Sequence, residues 1–128
     1  MKIIHHGGKA TVTGSCHELR LPDGPGILVD CGLTQGRDEE SPEIDFPVGH
    51  IKALILTHIH LDHCGRIPYL LAAGFKGPIY CSEPSAKLLP IMVEDSMKLT
   101  VGSDRLTVKK VVKAVEQLVV AVPHRKWT

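Results

Sequence analysis

The sequence predicts an α/β fold, and three observations carry that expectation. Short strand-like segments at 2–6, 16–21, 27–29, 51–57 and 78–81 share the chain with later stretches whose apolar residues recur at three- and four-residue spacing. The run at 51–57 is almost wholly apolar, the pattern of a central strand buried on both faces. Apolar residues make up 43% of the chain and aromatic ones 4%, so the core must be aliphatic. The 128 residues suit one domain, and an ordinary 23% of charged residues excludes wholesale disorder.

The first strand is expected at 2–6, ended by Gly7 and Gly8. The second, at 16–21, alternates in polarity. Residues 21–26, Leu-Pro-Asp-Gly-Pro-Gly, form a turn by composition, because proline fixes φ and glycine supplies positive φ. The short apolar strand at 27–29 then completes an antiparallel hairpin and ends at Asp30. Residues 32–50 are polar and rich in glycine, proline and acids, hence a loop. After the central strand, 65–73 reads as a helix closed by Gly74, and 78–81 as another strand. A helix begins at Ser82 or Glu83, with Pro84 in its first turn where a missing N–H costs little. Leu88, Leu89, Met92, Val93 and Met97 mark its apolar positions, and Pro90 within it predicts a kink or local break. Ser103 can cap a last helix with Val108, Val111, Val112 and Val115 on one face. From Leu118 the valine-rich run fits a strand equally well.

Charge and cysteine usage narrow the setting. The net charge of +1 hides a split: residues 1–64 hold 5 basic and 9 acidic side chains, residues 65–128 hold 10 and 5. No export signal follows Met1, and no apolar run is long enough to span a bilayer. Cys16, Cys31, Cys64 and Cys81 form no CxxC pair, so reduced thiols in a cytoplasmic protein are expected.

One cluster carries chemistry: His58-Ile59-His60-Leu61-Asp62-His63, directly after the central strand. Ligands in open α/β sheets gather beyond the carboxyl ends of strands. Near an extended backbone His58 and His60 project to the same side and can share one metal. Asp62 and His63, past a turn of the chain, can serve a second; alternatively Asp62 acts as general base. Two metals a few ångströms apart suit phosphate-ester hydrolysis. The remaining histidines, His5, His6, His17, His50 and His124, read as ordinary polar residues, with His17 facing outward.

Thr57 to His63 resembles the HxHxDH signature of the metallo-β-lactamase superfamily. Thr11-Val12-Thr13-Gly14-Ser15, Leu28-Val29-Asp30-Cys31-Gly32 with Gln35-Gly36, Asp62-His63-Cys64-Gly65-Arg66-Ile67-Pro68-Tyr69-Leu70 and Phe75-Lys76-Gly77-Pro78-Ile79-Tyr80 resemble its β-CASP branch, which holds nucleases of messenger RNA 3′-end processing. The resemblance implies the N-terminal part of an αββα sandwich. It also implies two zinc ions, with His58 and His60 on the first and Asp62 and His63 on the second. Asp30 matches an acidic residue that supports the metal-binding loop, the plainer reading being a turn-forming Asp before Gly32. Thr13, Gly14 and Ser15 match a loop near the active site. Cys64 is expected to be a small packed residue.

The family pattern also calls for a third histidine, a bridging aspartate and a further histidine. Nothing here resembles a Gly-His-x-x-Gly-Ser or Ser-Gly-Asp stretch, and the β-CASP insertion is absent. The chain therefore resembles an N-terminal portion of a larger enzyme, expected to bind zinc weakly, to be inactive alone, and to self-associate through uncovered sheet surface. The implied function is a zinc-dependent ribonuclease that cleaves RNA by metal-activated hydroxide. The alternatives are another hydrolase of the superfamily, a thioesterase or lactonase, and a non-catalytic binding or assembly segment. The basic residues Lys98, Arg105, Lys109, Lys110, Lys113, Arg125 and Lys126 read first as a solvated helix face and second as phosphate contacts.

Overall fold

The turn at 21–26 closes the hairpin that its composition predicts. Gly24 adopts φ +108, which an L side chain resists, and donates its N–H to the Leu21 carbonyl at 3.0 Å. The computed structural model describes residues 1–7, 15–32, 44–100 and 105–123, with backbone alone at 61, 62, 99 and 100. The hairpin strands β2 (Cys16–Arg20) and β3 (Gly26–Val29) join β1 (Lys2–Gly7), β4 (Ile51–Ile55), β5 (Ile79–Ser82) and β6 (Val119–Val122) in one mixed sheet, ordered β1 to β6 in sequence. β1, β2 and β3 pair antiparallel; β3, β4, β5 and β6 pair parallel. The parallel crossovers carry α1 (Leu61–Cys64) and α2 (Ile67–Ala72) before β5, then α3 (Glu83–Thr100) and α4 (Arg105–Leu118) before β6.

Register explains burial. Paired residues form a row across the whole sheet: Ile4, Glu18, Leu28, Leu54, Ile79 and Val119. Its middle four positions are fully buried. Ile67 and Leu70 of α2, Leu89, Val93 and Met97 of α3, and Val108 and Val115 of α4 complete the same core as Leu28, Leu54 and Ile79. Burying each such side chain contributes about 1.5–3 kcal/mol. The next row, His5, His17, Val29, Ile55, Tyr80 and Val120, points to the opposite face because side chains alternate along a strand. There Ile55, Tyr80 and Val120 are exposed.

The expected sandwich is thus present as a sheet with a helical layer on one face. β4 is central, but it is not buried on both faces: Lys52 and Ile55 are exposed, since the described helices cover one side only. The helix expected at 65–73 is α2, and the motif itself coils into a further short helix, α1, just before it. α2 closes as predicted: Gly74, at φ +109, donates to Leu71 and Phe75 donates to Leu70, a Schellman ending in which Leu70 and Phe75 are both buried. α3 runs unbroken through Pro90, since its packed apolar face outweighs the lost hydrogen bond. The Ser103 cap lies outside the described residues, and the run after Leu118 is strand β6.

Glu18 is the exception in the buried row. Its carboxylate receives Arg20 Nε at 2.8 Å, His6 Nε2 at 2.7 Å and His50 Nε2 at 2.7 Å. Phe46 stacks on His6 at 3.7 Å. Gly26 makes the room: a Cβ there would meet Glu18 Oε2 at 2.7 Å. His6 and His50 therefore hold a buried charge, a role that sequence spacing did not reveal. His17 lies on the open face as expected, bonded to His5 at 2.8 Å.

Two consequences are measurable. Burial pushes the Glu18 carboxyl up, but the bonds from Arg20, His6 and His50 outweigh it and hold the group at about 2, against an ordinary 4.5. A carboxyl depressed in the folded state stabilises above its unfolded pKa and loses that contribution as pH falls. The denaturation midpoint should drop between pH 4.5 and pH 2, and Glu18→Gln should lack that component; matching pH profiles for both proteins would show the carboxylate is not so held. Gly77→Ala would drive a Cβ into the Lys52 carbonyl oxygen. It should cost about 1–3 kcal/mol, whereas Gly49→Ala, with nothing within 4 Å, should change the urea midpoint little.

Candidate metal centre

The site is built where β3 and β4 end. Asp30 follows β3 with φ +64, a left-handed conformation that Asp tolerates better than most non-glycine residues. Its N–H donates to the Ile55 carbonyl at 2.8 Å, so β3 stays paired to β4 up to the turn. Its carboxylate is 3% exposed and accepts three bonds from the motif segment. Thr57 N–H reaches Oδ1 at 2.8 Å, Thr57 Oγ1 reaches Oδ2 at 2.7 Å, and His63 Nδ1 reaches Oδ2 at 2.9 Å. The Thr57 hydroxyl, having given its proton to Asp30, accepts from His58 Nδ1 at 3.1 Å.

The backbone is fastened as well. His60 O accepts the N–H groups of His63 and Cys64 at 2.9 and 3.0 Å, which starts α1 immediately after the second histidine. Cys31 N–H donates to His63 O at 2.7 Å, and Arg66 N–H donates to Cys31 O at 2.9 Å. Arg66 Nε adds a bond to Gly32 O at 2.7 Å. Gly32 N–H meets Ser15 O at 2.9 Å, which ties the start of β2 to the same point. Cys64 is buried, with its thiol on Ile59 O at 3.1 Å, the packed residue expected.

Three imidazoles collect here. The His58 ring centroid lies 4.8 Å from that of His63 and 6.2 Å from that of His60. His58 and His60 are exposed and the His63 side chain is 24% exposed. Among the described residues no three His, Cys, Asp or Glu side chains converge in a metal-holding arrangement. The Asp62 side chain lies outside the description, as do Thr13 and Gly14; Ser15 is described and sits beside Gly32. The donor chemistry fits a metal nonetheless. The imidazoles are neighbours, and His63 is gripped through Nδ1 by a buried carboxylate, the usual partner that orients a metal-ligating histidine. Asp30 is thus both the turn residue before Gly32, at positive φ, and a buried carboxylate bonded to Thr57 and His63. Thr57 and Arg66 were quoted within the motif but given no role by spacing; their contacts arise only when β3 and the motif loop meet.

Comparison with known proteins gives the family. The chain is similar to ribonuclease TTHA0252 of Thermus thermophilus, 40% identical over 101 residues, covering 77% of this chain and 23% of that protein. It is 41% identical to transcription termination factor FttA of Methanosarcina mazei over 101 residues, covering 74% of this chain and 16% of that protein. It is 31% identical to Integrator complex subunit 11 of Gallus gallus over 134 residues, 95% of this chain and 22% of that protein. The chain therefore spans about a sixth to a quarter of the length of these relatives, which are of the β-CASP branch. A model of the metallo-beta-lactamase superfamily matches residues 11–123, and the chain belongs to that family.

Proposed function

We propose that this chain supplies part of the metal centre of a zinc-dependent ribonuclease. His58 and His60 would donate to one ion, Asp62 and His63 to a second. The observation that carries the reading is the Asp30 clamp, which holds His63 through Nδ1 beside His58. A ring held that way is set to coordinate through its other nitrogen. Bound zinc would supply Lewis-acid polarisation and charge stabilisation at an attacked phosphate. The residues of this chain position the donors. Asp30 fixes His63, Thr57 relays that restraint to His58, and Asp62 adds a carboxylate that can ligate or hold a proton. The names of the relatives, a ribonuclease and a transcription termination factor among them, support RNA as the substrate class.

These four residues are part of a donor set, since the further histidines and bridging aspartate of the family pattern have no counterpart in this sequence. Zinc should therefore bind this chain weakly by calorimetry. Asp30→Asn should weaken it by a further factor of about 10–100 while circular dichroism stays native; unchanged zinc affinity would remove the clamp from the mechanism. In the longest natural protein that carries this segment, His60→Ala should abolish cleavage of labelled RNA with little change in Tm. Wild-type protein that hydrolyses thioesters or lactones and leaves RNA intact would overturn the ribonuclease reading.

A further inference from the structure

Among the described helices and strands, the largest excess of one charge sign lies on α4. That helix carries Arg105, Lys109, Lys110 and Lys113 against a single acid, Glu116. Val108 and Val115 are buried and Val111 and Val112 pack on the core, so the four cations occupy the exposed side. Arg105, Lys109 and Lys113 follow one another at four-residue steps, about 6 Å apart along the axis. They make a stripe. Lys98 of α3 joins it: Glu94, Lys98, Arg105, Val108 and Lys109 line a cleft of about 450 Å³ between the two helices.

The one carboxylate in that lining is already engaged, since Glu94 pairs with Lys98 at 3.1 Å. Among the described residues no ion pair holds Arg105, Lys109, Lys110 or Lys113. Arg105 and Lys109 line the groove beside the Lys98–Glu94 pair, and Lys113 continues their stripe along α4. The described lining contains no aromatic ring on which a base could stack, so the surface suits phosphates rather than bases. Leu106 is the one large hydrophobic residue exposed on α4, too little for a helix that inserts into lipid.

We propose that the α4 stripe and the α3–α4 cleft dock the sugar–phosphate backbone of single-stranded RNA without regard to sequence. The inference rests on the ribonuclease reading for its choice of polyanion. It adds a binding surface on the helical layer, separate from the residues of the metal centre.

Salt dependence tests it. Binding of a fluorescent unstructured RNA is measured across a salt series for wild type and for Arg105→Ala/Lys109→Ala/Lys113→Ala. Each lost phosphate contact on a single strand lowers the slope of log K against log salt by about 0.7, so the triple variant should lose about 2 and bind at least about tenfold more weakly at low salt. Alanine favours helix, and an unchanged circular dichroism spectrum will show that α4 persists. Lys2→Ala/Lys52→Ala/Lys76→Ala, which removes cations elsewhere, should keep the wild-type slope. Repeating the salt series with zinc omitted and a chelator present separates the two readings: RNA binding and slope should stay intact without metal, even if the metal centre proves to serve another reaction. A triple α4 variant with the wild-type slope, a wild-type chain that binds no RNA, or binding of phosphatidylserine vesicles in place of RNA would each overturn the proposal.

Discussion

The Asp30 carboxylate is the contact on which the rest of this site depends. A carboxylate that is 3% exposed must be fully satisfied or it costs several kcal/mol. Asp30 meets that requirement with three donors, all from the motif segment at 57–63. Burial thus does more than tolerate the charge: it leaves the motif few places to go. The positive φ matters equally. An unbroken strand alternates its faces, yet Asp30 and Cys31 are consecutive and both buried. The left-handed turn at Asp30 lets its carboxylate reach the motif while Cys31 enters the core. Cys31 then uses its own N–H and carbonyl on His63 and Arg66. One inverted residue fastens the motif loop through both side chain and backbone.

Thiols fill the space beneath. Cys16 and Cys31 are fully buried side by side, and Cys64 lies close by. The neighbouring Cys16 thiol, together with burial, pushes the Cys31 thiol well above its ordinary range. A small, polarisable side chain without charge packs where larger ones would press on the loop. The cysteines therefore act as filling that sets the distance between β2, β3 and α1.

The fold was legible wherever local pattern and tertiary environment agree. The hairpin turn, the Gly74 helix ending and the valine face of α4 follow from turn chemistry, φ and periodicity. The apolar run at 51–57 was legible as a strand but not as to its covering, because sequence records hydrophobicity and not which face has a neighbour. Pro90 pointed to a break, and packing of Leu89, Val93 and Met97 overrode it. At the site, His58, His60 and His63 were legible because three imidazoles in six residues are rare. The bonds that organise them were not, since Asp30 and His63 are 33 residues apart and only the β3–β4 pairing brings them together. Thr13 and Gly14 lie outside the described residues. Glu18 was missed for the same reason: its partners come from β1, β2 and the segment before β4.

The charge that the chain presents to solvent depends on these placements. The buried acids, Glu18 and Asp30, sit in the N-terminal half, each bonded to the donors around it. The cations of α4 are exposed and no described acid pairs with them. Interaction energy with a distant polyanion depends on charges that water can see, weakened by salt over a Debye length of about 8–10 Å. Formal net charge, +1, counts buried and exposed groups alike. The charge presented to a partner by the helical layer is therefore more positive than the composition indicates, and it lies on a different face from the uncovered side of the sheet. The same α4 valines that complete the core turn those cations outward. Core packing and surface charge are in this way set by one helical periodicity.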